Sequence, residues 1–89
     1  MVNGKTKTGF AFSIDENAMN DMELVDVLAD KEIDDAFRMS YILKRLLPAD
    51  QCKRLYDHVR TEHGRVPVDA VVAEIEDIFA ALGDAEKNS

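Results

Sequence analysis

Residues 63–71 read His63-Gly64-Arg65-Val66-Pro67-Val68-Asp69-Ala70-Val71, "HGRVPVDAV". A histidine, a glycine and an arginine in a row suit a small active-site loop, and they equally suit a joint between two helices. The flanking periodicity decides. Upstream, Cys52, Leu55, Tyr56 and Val59 fall at the spacing of one helical face; downstream, Val68, Val71, Val72, Ile75, Ile78, Phe79 and Leu82 do the same. Gly64 comes just past the last periodic residue of the upstream helix, where a left-handed cap belongs. Pro67 has no amide hydrogen to donate, which costs nothing in the first turn of a helix, and it pushes Val66 to an extended conformation. The stretch stops one helix, extends, and starts the next.

The same reading extends toward the N-terminus. Met39, Ile42, Leu43, Leu46 and Leu47 form another helical stripe, capped by Asp34 or Asp35 and ended at Leu47 because Pro48 follows. Pro48 is placed to open the third helix at its first position. A first helix is expected to start at Asp15, with Glu16, Asp21 and Glu23 complementing its positive end. On it Leu24, Val27 and Leu28 mark one side, and Met19, Met22 and Ile33 another. Before it, "GFAFSI" at residues 9–14 alternates Phe10, Phe12 and Ile14 with small residues, the period of a half-buried strand. "TKTG" can turn the chain so that residues 2–6 pair back as a hairpin. Gly83 is expected to stop the fourth helix, whose outer face carries Asp69, Glu74, Glu76 and Asp77. The expected fold is mainly α: a small bundle of about four helices with a short N-terminal β-strand or hairpin. Residues 1–83 form the single domain and residues 84–89 a polar tail.

Bulk properties narrow the function classes. The chain has 89 residues, 46% of them hydrophobic, enough for one core near the small end of independent folding. Its net charge of -7 argues against sequence-independent nucleic-acid binding. The charge is uneven: residues 15–35 carry nine acids against Lys31 alone, while residues 36–65 carry seven Lys and Arg against three acids. The basic middle is read as the complement of the acidic helices around it. No apolar run approaches the roughly 20 residues of a membrane span, and no signal peptide is visible, so a cytoplasmic location is expected. One cysteine, Cys52, rules out an internal disulfide and leaves no thiol cluster for zinc.

No catalytic residue, cofactor or metal site is expected. His58 and His63 do not share a helix face, so packing or surface roles suit them better than ligation. Cys52 sits in a core stripe and reads as a small buried hydrophobe. The acid-rich run from Asp15 to Asp35 lacks calcium-loop spacing. Phe37 and Tyr41, four residues apart, touch each other on the side of helix two opposite its apolar stripe. Either helix two is buried on both sides, or this pair is exposed for a partner. Met19 and Met22 on helix one pose the same choice, and methionine suits adaptable surfaces. Met19, Met22, Phe37 and Tyr41 are therefore the candidate partner contacts.

Three segments resemble the small tail assembly chaperones of long-tailed phages and prophages. "TGFAFSIDEN" is similar to a start of the form T-G-F-x-F-x-I-D-E, followed by an acidic D-x-E-L-x-x-x-L-A. "ILKRLLPADQCKRLYDHVR" looks like that family's leucine-rich segment with a basic helix, and "EHGRVPVDAVVAEIEDIFAAL" like its G-R-V-P joint and last amphipathic helix. Together they span residues 8–82. Where such proteins usually carry a large aromatic, this chain has Met22. The resemblance implies a non-enzymatic role in the bacterial host cytoplasm. Such chaperones bind the aggregation-prone tape measure protein and keep it soluble while tail tube subunits gather. A longer, frameshifted product commonly recruits the tube protein. Self-association is compatible with this role. The alternatives from other classes are an acidic regulator that mimics nucleic acid and a structural component of the virion.

Overall fold

The structure, a computed structural model, describes the backbone of residues 1–87 and the side chains of residues 1–83. Strands β1 (Val2–Lys5) and β2 (Ala11–Ile14) form an antiparallel hairpin, followed by helices α1 (Met22–Ala29), α2 (Asp35–Leu46), α3 (Ala49–Val59) and α4 (Val68–Lys87). This is the mainly α bundle with an N-terminal hairpin that the periodicities predict.

In the hairpin Val2 pairs with Ile14 and Gly4 with Phe12, so the alternation places Phe12 and Ile14 on one face. That face packs on Leu24, Ile42, Leu43, Leu46, Leu47, Leu55, Val71, Ile75, Ile78 and Leu82, and Phe10 joins it from the turn. The core thus draws on every element except β1, from which Val2 packs against its margin. Gly4 lies under the Phe12 ring: a Cβ there would stand 2.7 Å from Phe12 Cζ.

One turn motif is used twice. At Thr6–Phe10, the Gly9 amide donates to Thr6 O at 3.0 Å and the Thr6 amide to Phe10 O at 2.9 Å. At Thr61–Arg65, the Gly64 amide donates to Thr61 O at 2.9 Å and the Thr61 amide to Arg65 O at 2.8 Å. In each, the glycine has positive φ, +90° at Gly9 and +84° at Gly64. In each, the threonine hydroxyl also accepts an amide four residues on, from Phe10 at 3.1 Å and from Arg65 at 3.3 Å. A tight turn closed by a left-handed glycine is a standard three-residue hairpin loop. Here the second copy joins two helices.

That second turn corrects the expected joint. α3 already ends at Val59, so Gly64 closes a separate turn and does not cap the helix. His63 therefore lies outside α3, stands in solvent and sits 3.7 Å from Glu62 Oε1. Pro48 is the N-cap of α3, one position earlier than expected, and its carbonyl accepts the amides of Gln51 and Cys52 at 3.0 Å each.

Two helix ends also differ. α1 starts at Met22 with Asp21 as its cap, accepting the amides of Glu23 and Leu24. Asp15 instead accepts the Asn17 amide at 2.8 Å in a local turn, the usual competing use of an aspartate side chain. Met19 and Ile33 therefore lie outside α1. At the other end, α4 runs through Gly83 to Lys87. Gly83 keeps an ordinary negative φ among good helix formers, which override its weak preference for stopping. The expected tail from residue 84 is thus helical to Lys87, and its last two residues, 88–89, lie outside the described residues.

Candidate partner-binding surface

The acidic segment is organised by two arginines of α2. Arg45 donates from Nε at 2.9 Å and Nη2 at 2.7 Å to Asp21 Oδ2, and lies 3.8 Å from Glu23. Arg38 pairs with Asp35 at 2.6 Å and donates to the Asp30 carbonyl at 3.2 Å. Asp21 precedes α1 and Asp30 follows it, so these bonds tie both ends of α1 along α2 in antiparallel. The Arg45 guanidinium is the largest cause that holds the Asp21 carboxyl below its ordinary value. Local desolvation opposes the shift, and the Leu24 amide adds to it.

This helical pair carries most of the exposed large apolar side chains among the described residues: Met22, Val25, Leu28, Phe37 and Tyr41. Met22 is 69% exposed and Phe37 74%. An open phenyl ring on a helix is the informative departure from ordinary burial. Tyr41 is 37% exposed and lies beneath Arg45, whose Cζ sits 5.8 Å from the ring centroid. Of the two readings open for Phe37 and Tyr41, the structure has the exposed one. Met19 does not join them. It is half-buried, lining a cleft of about 230 Å³ with Leu28, Phe79, Leu82 and Gly83. On the other flank of α2, Ala36, Met39 and Ser40 line an apolar groove of about 270 Å³ with Tyr56, Val66, Val68 and Val71.

A polar cluster under the hairpin turn was not legible from spacing. Glu74, expected on the outer face of α4, is only 2% exposed, because the turn at Thr6–Gly9 lies across that part of the helix. The Thr8 hydroxyl donates to Glu74 Oε1 and lies 2.9 Å from His58 Nε2. Glu74 Oε2 is buried without a hydrogen-bond partner among the described residues. The Lys7 amide donates to Asp77 at 2.9 Å beside this cluster. In a nucleophilic triad the acid orients the histidine. Here it meets the hydroxyl, so the contacts brace the hairpin against α3 and α4. Cys52 is half-buried and its thiol points at the carbonyls of Leu43 and Leu47, 3.6 Å from each. Burial pushes its pKa up.

Among the described residues no three His, Cys, Asp or Glu are grouped to hold a metal, and no helix is long and apolar enough to cross a membrane. No family model, curated protein or solved structure matches the chain.

Proposed function

We propose that this chain is a non-enzymatic tail assembly chaperone of a long-tailed phage or prophage, acting in the host cytoplasm. Its client is the tape measure protein, and it helps gather tail tube subunits around that client. The observation that carries this reading, beside the resemblance of residues 8–82, is the exposed apolar set Met22, Val25, Phe37 and Tyr41 on the α1–α2 pair. A long helical client with hydrophobic stripes needs such a surface, and the charged rim keeps the free chaperone soluble.

The acidic-mimic alternative asks for one continuous face of carboxylates. Arg38 and Arg45 stand among the acids of this segment and pair with them, which favours the chaperone.

The test is affinity capture of a tape measure protein co-expressed with this chain. Retention is expected, and Phe37→Ala combined with Tyr41→Ala should weaken it by about tenfold or more. Two proteins that are each soluble alone and do not associate would sink the reading. A virion component would persist in finished particles, whereas a chaperone is absent from them.

A further inference from the structure

The sequence has asparagines at Asn3, Asn17, Asn20 and Asn88, and of these only Asn3 is followed by glycine. That order matters chemically. The peptide nitrogen after an asparagine can attack the side-chain amide carbon, and a side chain on the following residue hinders the approach. Glycine has none. Packing demands the glycine here: a Cβ on Gly4 would stand 2.7 Å from Cζ of Phe12, a buried core residue. Asn3 is exposed and alternates with Gly4, so it lies with Lys5 on the outer face of β1. The core thus imposes a reactive Asn-Gly pair and leaves its amide in water.

We propose that Asn3 is a deamidation site whose reaction is gated by the pairing of the hairpin. The Gly4 nitrogen, after giving its proton to a base in solution, bonds to Asn3 Cγ. The bond from Cγ to Nδ2 breaks, and a proton from solution completes the ammonia that leaves. A five-membered succinimide remains, and water opens it. Cleavage between the Gly4 nitrogen and Cγ gives aspartate. Cleavage between that nitrogen and the main-chain carbonyl carbon of residue 3 gives isoaspartate. Either product adds one negative charge.

Two features of the ladder hold the reaction back. The Thr6 amide donates to Phe10 O at 2.9 Å, and bonded pairs alternate along an antiparallel ladder. Two residues back, Gly4 therefore faces Phe12 in a bonded pair, with its N–H turned to the partner strand. A nitrogen spent on a ladder bond gives up its proton reluctantly. Asn3 is also held extended, at the ψ of about +135° usual in such strands, and ring closure needs Cγ swung round to the Gly4 nitrogen. Gln51 clasps the backbone of Ser13, the residue opposite Asn3, and so steadies the pair beside the reacting bond. The reaction therefore runs from the opened hairpin.

The two products differ in what they leave behind. Aspartate keeps the main chain as it was, and its carboxylate shares a face of β1 with Lys5. Isoaspartate adds a carbon to the main chain between Val2 and Gly4. Val2 on Ile14 and Gly4 on Phe12 then cannot both keep register, so the hairpin recloses weakly.

The full chain is incubated in mildly alkaline buffer with and without urea, and peptide mapping by mass spectrometry follows Asn3, aspartate and isoaspartate. Loss of Asn3 should be slower in the native chain by about tenfold or more, because only opened molecules react. Gln51→Ala should speed the native reaction and leave the rate in urea unchanged. The purified isoaspartate form should have a folding constant lower by about fivefold or more, whereas Asn3→Asp should stay close to the parent chain. Equal rates with and without urea, a native rate indifferent to Gln51→Ala, or an isoaspartate form as stable as Asn3→Asp overturns the inference. None of these outcomes depends on what the apolar surface binds.

Discussion

The side-chain amide of Gln51 closes on the backbone of Ser13 from both sides. Nε2 donates to the Ser13 carbonyl at 2.7 Å, and Oε1 accepts the Ser13 amide at 2.9 Å. Ser13 faces Asn3 across the hairpin in a pair whose peptide groups point outward, so one glutamine of α3 does for β2 what a third strand would do. Arg54 covers the next outward carbonyl, Ala11 O, at 3.2 Å. A two-stranded hairpin is marginal in water, and its edges invite pairing with other chains. Gln51 answers both problems at a single point.

Gln51→Ala is therefore expected to lower stability by about 1–3 kcal/mol, because it leaves a donor and an acceptor of the strand edge unpaired. Gln51→Glu keeps the acceptor but turns a carboxylate oxygen toward the Ser13 carbonyl, and should be at least as damaging. Urea unfolding of the three proteins measures this. A loss below about 0.5 kcal/mol for both variants would mean that water replaces the glutamine without penalty.

The Asp21–Arg45 pair sets the acid limb of stability. The folded pKa of Asp21 lies below its ordinary value, chiefly through Arg45. A depressed carboxylate contributes stability that is fully present above the unfolded pKa of 3.8 and is lost as pH falls through the folded value. Asp21→Asn should thus reduce the melting temperature at pH 7 and lessen its fall between about pH 5 and pH 2. Parallel acid limbs for the two proteins would show that the pair adds nothing, as many exposed ion pairs do not.

The apolar periodicities were legible because they follow from burial: Phe12 and Ile14, the Ile42–Leu46 stripe and the Val71–Leu82 stripe all face the core. What escaped was decided by side chains meeting backbone across long sequence separations. Nothing near Gln51 marks it as the partner of Ser13, and nothing near Glu74 says that the Thr6–Gly9 turn will cover it. Spacing alone does not separate the two possible starts of α1, because Asp15 and Asp21 carry the same capping chemistry and only Asp21 also meets Arg45. At the candidate surface, the placement of Phe37 and Tyr41 on the side of α2 away from its buried stripe was legible from their spacing. Their exposure was not, since a hairpin covering α2 would have buried them.

Cys52 offers a check on packing between α2 and α3. Its thiol is held near two carbonyls, and burial raises its pKa. At pH 7 the thiolate is scarce and poorly reached, so reaction with a disulfide reagent should be slower in the native chain than in urea by about tenfold or more. Equal rates in the two conditions would place the sulfur in open solvent and contradict the packing of α3 on α2.

Two glycines should respond to alanine with opposite signs. At Gly64 a Cβ meets nothing within 4 Å, yet φ is +84°, so the penalty is purely conformational. Gly64→Ala should destabilise by about 1–2 kcal/mol. At Gly83 a Cβ likewise meets nothing, but the backbone is that of α4. Gly83→Ala should stabilise by up to about 1 kcal/mol, since alanine gains over glycine in a helix interior. Melting curves of the two variants separate strain from space, because the surroundings are open in both cases. If Gly83→Ala instead destabilised the chain, α4 would end there in solution, and residues 84–87 would be the tail their composition suggests.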